Sequence, residues 1–237
     1  MLGPDRRTMT RAEAEAAQID VGLRQHMLRV YNYMASGVAL TGIVAMVVAS
    51  TPALREAIFG TPLAWVVMLA PLAFILVLSF GIHRLSLFAT QALFWTFAAV
   101  MGLSLASIFL IYTGESIARV FFITAASFGA LSLWGYTTKR DISGWGSFLF
   151  IGLVGIIIAG LVNLFMQSSA LQFAISVIGV LIFAGLTAYD TQNIKNEYSE
   201  LHDHETSGKL AIMGALRLYL DFINLMVMLL HLLGDRR

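Results

Sequence analysis

Seven long runs of apolar residues, separated by short polar stretches, divide this chain. Each run is close to the ~20 residues that a helix needs to cross about 30 Å of hydrocarbon. The polar–apolar alternation that is typical of membrane β-strands is missing. The pattern therefore predicts an all-α integral membrane protein with seven transmembrane helices. The runs are residues 30–50, 62–82, 88–112, 117–136, 146–166, 171–189 and 210–233.

Composition supports the same class. The 237 residues are 58% hydrophobic and only 12% charged, and a water-soluble globule of this size could not bury that much apolar surface. The net charge is +1 without a run of basic residues, so no nucleic-acid partner is predicted. The chain has no cysteine, which excludes disulfides, thiolate metal sites and cysteine nucleophiles.

Basic residues are unevenly distributed between the two ends of the predicted helices. Ten lie on the side of the N-terminus and four on the opposite side. Because cytoplasmic segments carry the excess of Lys and Arg, this bias predicts a cytoplasmic N-terminus, and an odd number of helices then places the C-terminus outside. The ten are Arg6, Arg7, Arg11, Arg24, Arg29, Arg84, Lys139, Arg140, Lys195 and Lys209, and the four are Arg55, Arg119, Arg236 and Arg237.

The segment before the first apolar run is polar and charged. We interpret residues 1–29 as a cytoplasmic N-terminal segment and residues 30–237 as the transmembrane domain. Residues 11–29 are predicted to form an amphipathic helix on the inner membrane surface. The apolar residues on one side of this helix are Ile19, Leu23 and Met27.

Small residues recur at four-residue spacing in two of the predicted helices. Ala98, Gly102 and Ala106 form such a row in the third, and Gly155 and Ala159 form a shorter one in the fifth. Rows of this kind allow helix backbones to approach closely, so both predict ordinary helix packing.

Two aspartates interrupt otherwise apolar sequence. Asp190 ends the sixth run, and Asp221 lies near the middle of the seventh. An ionised carboxylate in hydrocarbon is costly, so each marks a candidate site and needs a partner. The candidate partners are each other, Arg217 and Arg84. In the predicted topology Asp190 lies at the cytoplasmic boundary and Asp221 lies roughly 16 Å inside. They meet only if the sixth helix extends inward, a helix tilts, or a water-filled cavity bridges them.

The seventh predicted helix carries a polar stripe. Gly214, Arg217, Asp221, Asn224 and Met228 fall on one face at helical spacing. A polar face avoids lipid, which predicts that the seventh helix is central and that the other six surround it.

Two interpretations of the aspartates remain open. If Asp190 and Asp221 approach each other, both cannot ionise comfortably, so one pKa is raised and the pair forms a switch controlled by one shared proton. Arg84 or Arg217 would oppose this rise in pKa by favouring the charged form. Once ionised, their oxygens suit Ca²⁺. Alternatively, Arg217 and Asp221 form an i,i+4 pair that merely neutralises a buried charge.

Enzymatic activity is not predicted. Tyr189 and Asp190 are similar to the Tyr-Asp of intramembrane aspartyl proteases, but those enzymes carry Gly-x-Gly-Asp around the second aspartate, and Asp221 follows Leu-Tyr-Leu. The His-rich stretch 202–205 is a candidate metal ligand set. A solvated loop is the preferred interpretation of that stretch.

Four stretches resemble the Bax inhibitor-1 family of seven-helix membrane proteins, and the resemblance covers nearly everything after residue 30. It implies six helices around a central seventh, and a pH-sensitive calcium leak gated by Asp190 and Asp221. Arg84 is implied as a latch that receives Asp190 when the shared proton leaves. The stretches are MGLSLASIFLIYT (101–113), GYTTKRDISGWGSFL (135–149), FAGLTAYDTQNIKNEY (183–198) and GALRLYLDFINL (214–225).

The sequence thus predicts a proton-gated Ca²⁺ leak in a bacterial-type cytoplasmic (inner) membrane. Its expected partners are the lipid bilayer, Ca²⁺ and protons, with no cofactor. The alternative is a non-conducting regulator of a membrane partner, such as a membrane-bound AAA protease or a cell-death or stress factor. The charged N-terminal segment would serve such a partner.

Overall fold

The computed structural model describes the backbone of residues 11–237 and the side chains of residues 21–237. In this part of the chain, seven of the helices are long and apolar enough to cross a membrane, and only the short α2 is not. The predicted class, an all-α membrane protein with seven spans, is confirmed. The helices are α1 Arg11–Ser50, α2 Pro52–Phe59, α3 Leu63–Gly81, α4 Leu87–Ile111, α5 Gly114–Thr137, α6 Trp145–Met166, α7 Ser169–Glu197 and α8 His204–Leu233.

Side-chain caps fix where four of these helices begin. Ser86, Thr113, Ser168 and Asp203 each precede a helix and accept a hydrogen bond from a backbone N–H of its first turn. Such caps satisfy N–H groups that have no partner inside the helix. The Ser86 cap confirms that the second and third spans are separate helices, although few polar residues divide them.

The first helix joins two segments that the sequence analysis separates. α1 runs without a break from Arg11 to Ser50, so residues 21–29 continue directly into the first span. Met27 is only 4% exposed, and Leu23 packs against the same core. The protein itself therefore buries this part of the apolar stripe. Ile19 lies outside the residues whose side chains are described, as do residues 1–10 entirely, and the boundary between residues 29 and 30 stays a prediction.

The seven spans are unequally buried. In the most apolar stretch of α8, 44% of the residues are buried, against 17% in α3 and 11% in α6. Within the described chain α8 packs mainly against α1, α4, α5 and α7, whereas α3 packs on α4 and α6 packs on α7. The predicted ring of six helices around one is therefore not confirmed. α3 and α6 are the most apolar spans, so lipid can solvate their outer faces.

Glycine allows two close helix crossings. A Cβ atom on Gly102 would lie 2.7 Å from the Thr41 carbonyl oxygen, and one on Gly135 would lie 2.4 Å from the Ala188 carbonyl oxygen. The predicted small-residue row on α4 is thus a packing face against α1. The shorter row behaves differently, because a Cβ on Gly155 would meet no described atom within 4 Å.

Tyr219 ties three helices together in the core. Its hydroxyl lies 2.6 Å from the Thr41 hydroxyl, which itself donates to the Ala98 carbonyl oxygen at 2.7 Å. Because the Thr41 proton is used in that bond, Tyr219 donates to Thr41. The contact joins α8 to α1 and α4 and leaves the buried phenol satisfied.

Candidate functional site: an aspartate pair between α7 and α8

The length of α7 bears on how the two aspartates approach each other. α7 continues about two turns beyond the apolar run and ends at Glu197, and residues 198–203 connect it to α8. Asp190 therefore lies within a helix rather than at its end. Of the three arrangements that the sequence left open, extension of the helix brings Asp190 to Asp221.

Asp190 and Asp221 lie close enough across the α7–α8 interface for each carboxyl group to act on the ionisation of the other. Asp221 is only 5% exposed. Its buried Oδ2 atom has no N–H or O–H donor among the described residues. A proton held between the two carboxyl groups would satisfy that oxygen. The arrangement thus places a buried acidic group next to a second acid that acts on it.

Arg217 and Glu197 form a second contact between the same helices, nearer the connecting loop. Arg217 Nη1 lies 2.7 Å from Glu197 Oε1, and both side chains are about one-third exposed. The guanidinium also acts electrostatically on Asp190 and Asp221. Within the described structure the ion-pair partner of Arg217 is thus Glu197, and not Asp221 as the charge-neutralising interpretation requires. Sequence analysis missed Glu197, although it follows Asp190 by seven residues and so shares its helix face.

Two predicted site residues stand apart from the pair. Arg84 is exposed in the turn between α3 and α4, and it forms no ion pair with a described side chain. Its role as a latch for Asp190 stays a prediction. Asn224 Nδ2 donates to the Leu220 carbonyl oxygen of its own helix at 2.8 Å. The amide is therefore satisfied without either aspartate.

His26 is a further titratable group close to this region. It lies on α1, is 5% exposed, and its ring centroid is 5.5 Å from that of Tyr198. It interacts electrostatically with Glu197. Sequence analysis did not single it out, because a histidine before the first apolar run carries no signal by itself.

A chain of hydroxyl groups connects α1 to the residue after Asp190. Tyr31 Oη lies 2.6 Å from Ser132 Oγ, which lies 2.8 Å from Thr191 Oγ1. Thr191 donates to the Thr187 carbonyl oxygen at 2.7 Å. Each hydroxyl therefore donates to the next, from α1 through α5 to α7. The chain fixes the face of α7 beside the aspartate pair.

The α5–α6 loop is fastened to α7 just beyond the pair. Gln192 Oε1 accepts from the Ile142 amide at 2.9 Å, and Gln192 Nε2 donates to the Arg140 carbonyl oxygen at 2.9 Å. Within the loop, the Ser143 amide donates to the exposed Asp141 carboxylate and lowers its pKa. The loop and α7 are therefore joined by both ends of the Gln192 amide.

The opposite end of the α7–α8 interface holds neutral polar groups. Gln172 lies within hydrogen-bonding distance of Asn163 at 3.2 Å, of His231 Nδ1 at 3.1 Å and of Ser176 at 3.4 Å. We name these four residues the amide cluster, and Asp190, Glu197, Arg217 and Asp221 the charged cluster. Between the clusters Met228 packs on Gly179, where an added Cβ would lie 2.8 Å from Met228 Sδ. The interface is therefore polar at both ends and apolar in the middle.

The described side chains do not form a resident metal centre. No group of three or more His, Cys, Asp or Glu side chains that could hold a metal ion occurs among them. Ca²⁺ takes about 6–8 oxygen ligands, more than Asp190 and Asp221 supply. The His-rich stretch 202–205 is exposed, and Asp203 within it caps α8. A Ca²⁺ ion at the pair would be cargo rather than a cofactor.

Comparison with known proteins identifies the family. A family model described as the inhibitor of apoptosis-promoting Bax1 matches residues 23–237. The chain belongs to the Bax inhibitor-1 family. It is 50% identical to an uncharacterised protein of Rickettsia prowazekii over 92% of each chain. It is 48% identical to the inner membrane protein YbhL of Escherichia coli K12 over 91% of this chain and 94% of that one. A protein of Caulobacter vibrioides is 45% identical over 95% and 94%.

Proposed function

We propose that this family member is a pH-sensitive calcium leak pathway in which the Asp190–Asp221 pair acts as the gate. The observation that carries the proposal is the buried Oδ2 of Asp221, which has no described donor, in a side chain on which a second carboxyl group acts electrostatically. Leaving a buried polar atom unsatisfied costs about 1–3 kcal/mol. A neutral amide pair would avoid that cost, so two acids in this position suggest a function that depends on protonation.

The protonation state of the pair sets its geometry in this proposal. With one shared proton, the two carboxyl groups are held together and α7 and α8 are closed. Loss of the proton leaves two like charges in a low-dielectric site, and Asp190 moves away towards an arginine. Arg217 is the nearer arginine, since its charge already acts on Asp190. Arg84 is the latch that the family resemblance implies. The freed carboxylates are then hard oxygen ligands for passing Ca²⁺.

The proposed location is the inner membrane of a bacterium, with the N-terminus in the cytoplasm. A similar protein is named an inner membrane protein. The orientation follows from the excess of Lys and Arg on the N-terminal side. In this orientation the charged cluster lies towards the cytoplasm and the amide cluster towards the outside.

Calcium flux into proteoliposomes across a pH series tests the gate. A single-proton switch changes the open population by at most about tenfold per pH unit. We expect flux to rise with pH in the wild type and to lose its pH dependence in the Asp190→Asn, Asp221→Asn double variant.

His26→Gln and His231→Gln serve as matched controls, because each removes another titratable group beside α7 or α8. Both are expected to keep the wild-type pH profile. A double aspartate variant that retains this profile contradicts the proposal. A profile lost in His26→Gln alone would assign the pH response to His26 instead.

A non-conducting regulator is the second candidate, and the family description favours it by naming inhibition of an apoptosis-promoting factor. In that case a membrane protein such as an AAA protease is the partner. Crosslinking in native membranes followed by purification, with flux measured on the same preparation, separates the two. A stoichiometric partner together with no flux at any pH supports the regulator.

A further inference from the structure

The edge between α1 and α5 is an open seam. In the described structure α1 packs mainly against α4 and α8, and α5 packs mainly against α7 and α8. Two cavities of about 390 Å³ each lie along the seam. Arg24 lines one cavity and Met46 lines the other. Between these two residues α1 rises roughly 33 Å, which is close to the thickness of a bilayer's hydrocarbon core. The cavities thus follow each other across the two halves of the membrane.

The cavity at the N-terminal end of α1 has an apolar wall and a charged end. Three of its lining residues carry a hydroxyl group, and two of these, Tyr31 and Ser132, are hydrogen-bonded to each other at 2.6 Å. Gly129 leaves open space, because a Cβ there would meet no described atom within 4 Å. The residues that define the cavity include Arg24, Met27, Tyr31, Phe128, Gly129 and Tyr136.

One cation lines the charged end of this cavity, and a second contacts the lining residue Tyr136. Arg24 lies one turn before Met27 and lines the cavity. Lys195 Nζ donates to the Tyr136 carbonyl oxygen at 2.8 Å and lies 5.3 Å from the Tyr136 ring centroid. Positive charge is therefore placed where an apolar slot reaches the membrane interface. An acyl chain with a negatively charged headgroup has the complementary chemistry.

We propose that the α1–α5 seam binds an anionic phospholipid, with an acyl chain in the apolar cavity and the phosphate at Arg24. The slot opens sideways from a bundle of membrane-spanning helices, so acyl chains are the apolar groups that surround it. Tyr31 contacts the occupant and begins the hydroxyl chain that ends at Thr191, beside Asp190. The site does not depend on calcium conduction.

Native mass spectrometry of the purified full chain tests the site. The protein is released from nanodiscs that contain equal amounts of phosphatidylglycerol and phosphatidylethanolamine. We expect one phosphatidylglycerol to be retained in preference to phosphatidylethanolamine. Arg24→Gln is expected to reduce this retention about tenfold, as for loss of one charge-assisted hydrogen bond. Gly129→Leu fills the slot and should abolish retention.

Gly155→Leu is the matched control. Gly155 is also an exposed helical glycine whose Cβ would meet nothing within 4 Å, but it lies on α6, away from the seam. Wild-type retention in this variant supports the assignment. Equal retention of both lipids, or unchanged retention in both Arg24→Gln and Gly129→Leu, overturns it. A protein that co-purifies in place of lipid, and that Gly129→Leu releases, also overturns it. Because Arg24 is exposed, its variant remains informative if Gly129→Leu misfolds.

Discussion

The charged cluster and the amide cluster both connect α7 to α8, yet they meet their hydrogen-bonding needs differently. In the amide cluster, Gln172 contacts Asn163, Ser176 and His231, so neutral groups satisfy one another. In the charged cluster, the buried Oδ2 of Asp221 has no described donor. Only the second cluster therefore needs a proton from outside to be complete.

Under the proposed function, this difference separates a structural polar contact from a switch. The amides of Gln172 and Asn163 do not titrate, so their donors and acceptors are the same at every pH. A carboxyl pair gains or loses its bond with one proton, and like charges then separate it. The apolar contact of Met228 with Gly179 lies between the two clusters.

The largest expected effect comes from disrupting the apolar contact between the clusters. Gly179→Leu would drive a side chain into Met228, and overpacking of this kind costs about 1–3 kcal/mol. We expect a lower thermal unfolding midpoint and a higher basal Ca²⁺ flux. Gly160→Leu is the control, because a Cβ at Gly160 meets nothing within 4 Å. If the two variants have equal unfolding midpoints, the Met228 side chain can move aside without loss of stability. The contact would then not hold the two clusters apart.

The next effect concerns the charge beside the pair. Arg217→Gln removes a positive charge that favours the ionised aspartates, so the pair keeps its proton to higher pH. The pH of half-maximal flux is expected to rise by on the order of one unit, because Arg217 is partly exposed and water screens its charge. Arg84→Gln is the comparison variant, with a smaller expected shift. A larger shift in Arg84→Gln than in Arg217→Gln would identify Arg84 as the latch.

The smallest effect is expected at the exposed start of α8. The Thr206 hydrogen bond lowers the pKa of Asp203 below its ordinary value of 3.8. The ionised Asp203 carboxylate therefore stabilises the fold above pH 3.8. This stabilisation is lost as the pH falls through the lower pKa of the folded state. Asn also caps helices, so the Asp203→Asn variant should lose less stability at acid pH than the wild type does. The Asp203→Ala variant lacks the cap and should be less stable than the wild type at every pH.

Thermal unfolding from pH 3 to pH 7 measures this effect. If the acid-side slope of Asp203→Asn equals that of the wild type, Asp203 makes no titrating contribution.

The membrane spans and the two aspartates could be predicted from the sequence because each is marked by a short stretch of neighbouring residues. About 20 apolar residues in a row satisfy the length of a bilayer wherever the helix lies. Asp221 is conspicuous because a carboxylate is rare within such a run. The Bax inhibitor-1 resemblance was equally local, and the family match over residues 23–237 confirms it.

The choice of neighbours emerged only from the packed helices. An apolar helix surface gains little free energy when it exchanges contact with lipid for contact with another apolar helix. Shape and small residues therefore decide which helices pack together. Those contacts place α3 and α6 at the edge of the bundle. They also pair Arg217 with Glu197 and leave Arg84 exposed. Hydropathy along the chain reports the transfer of each residue into lipid, and it carries no information about which helix face meets which.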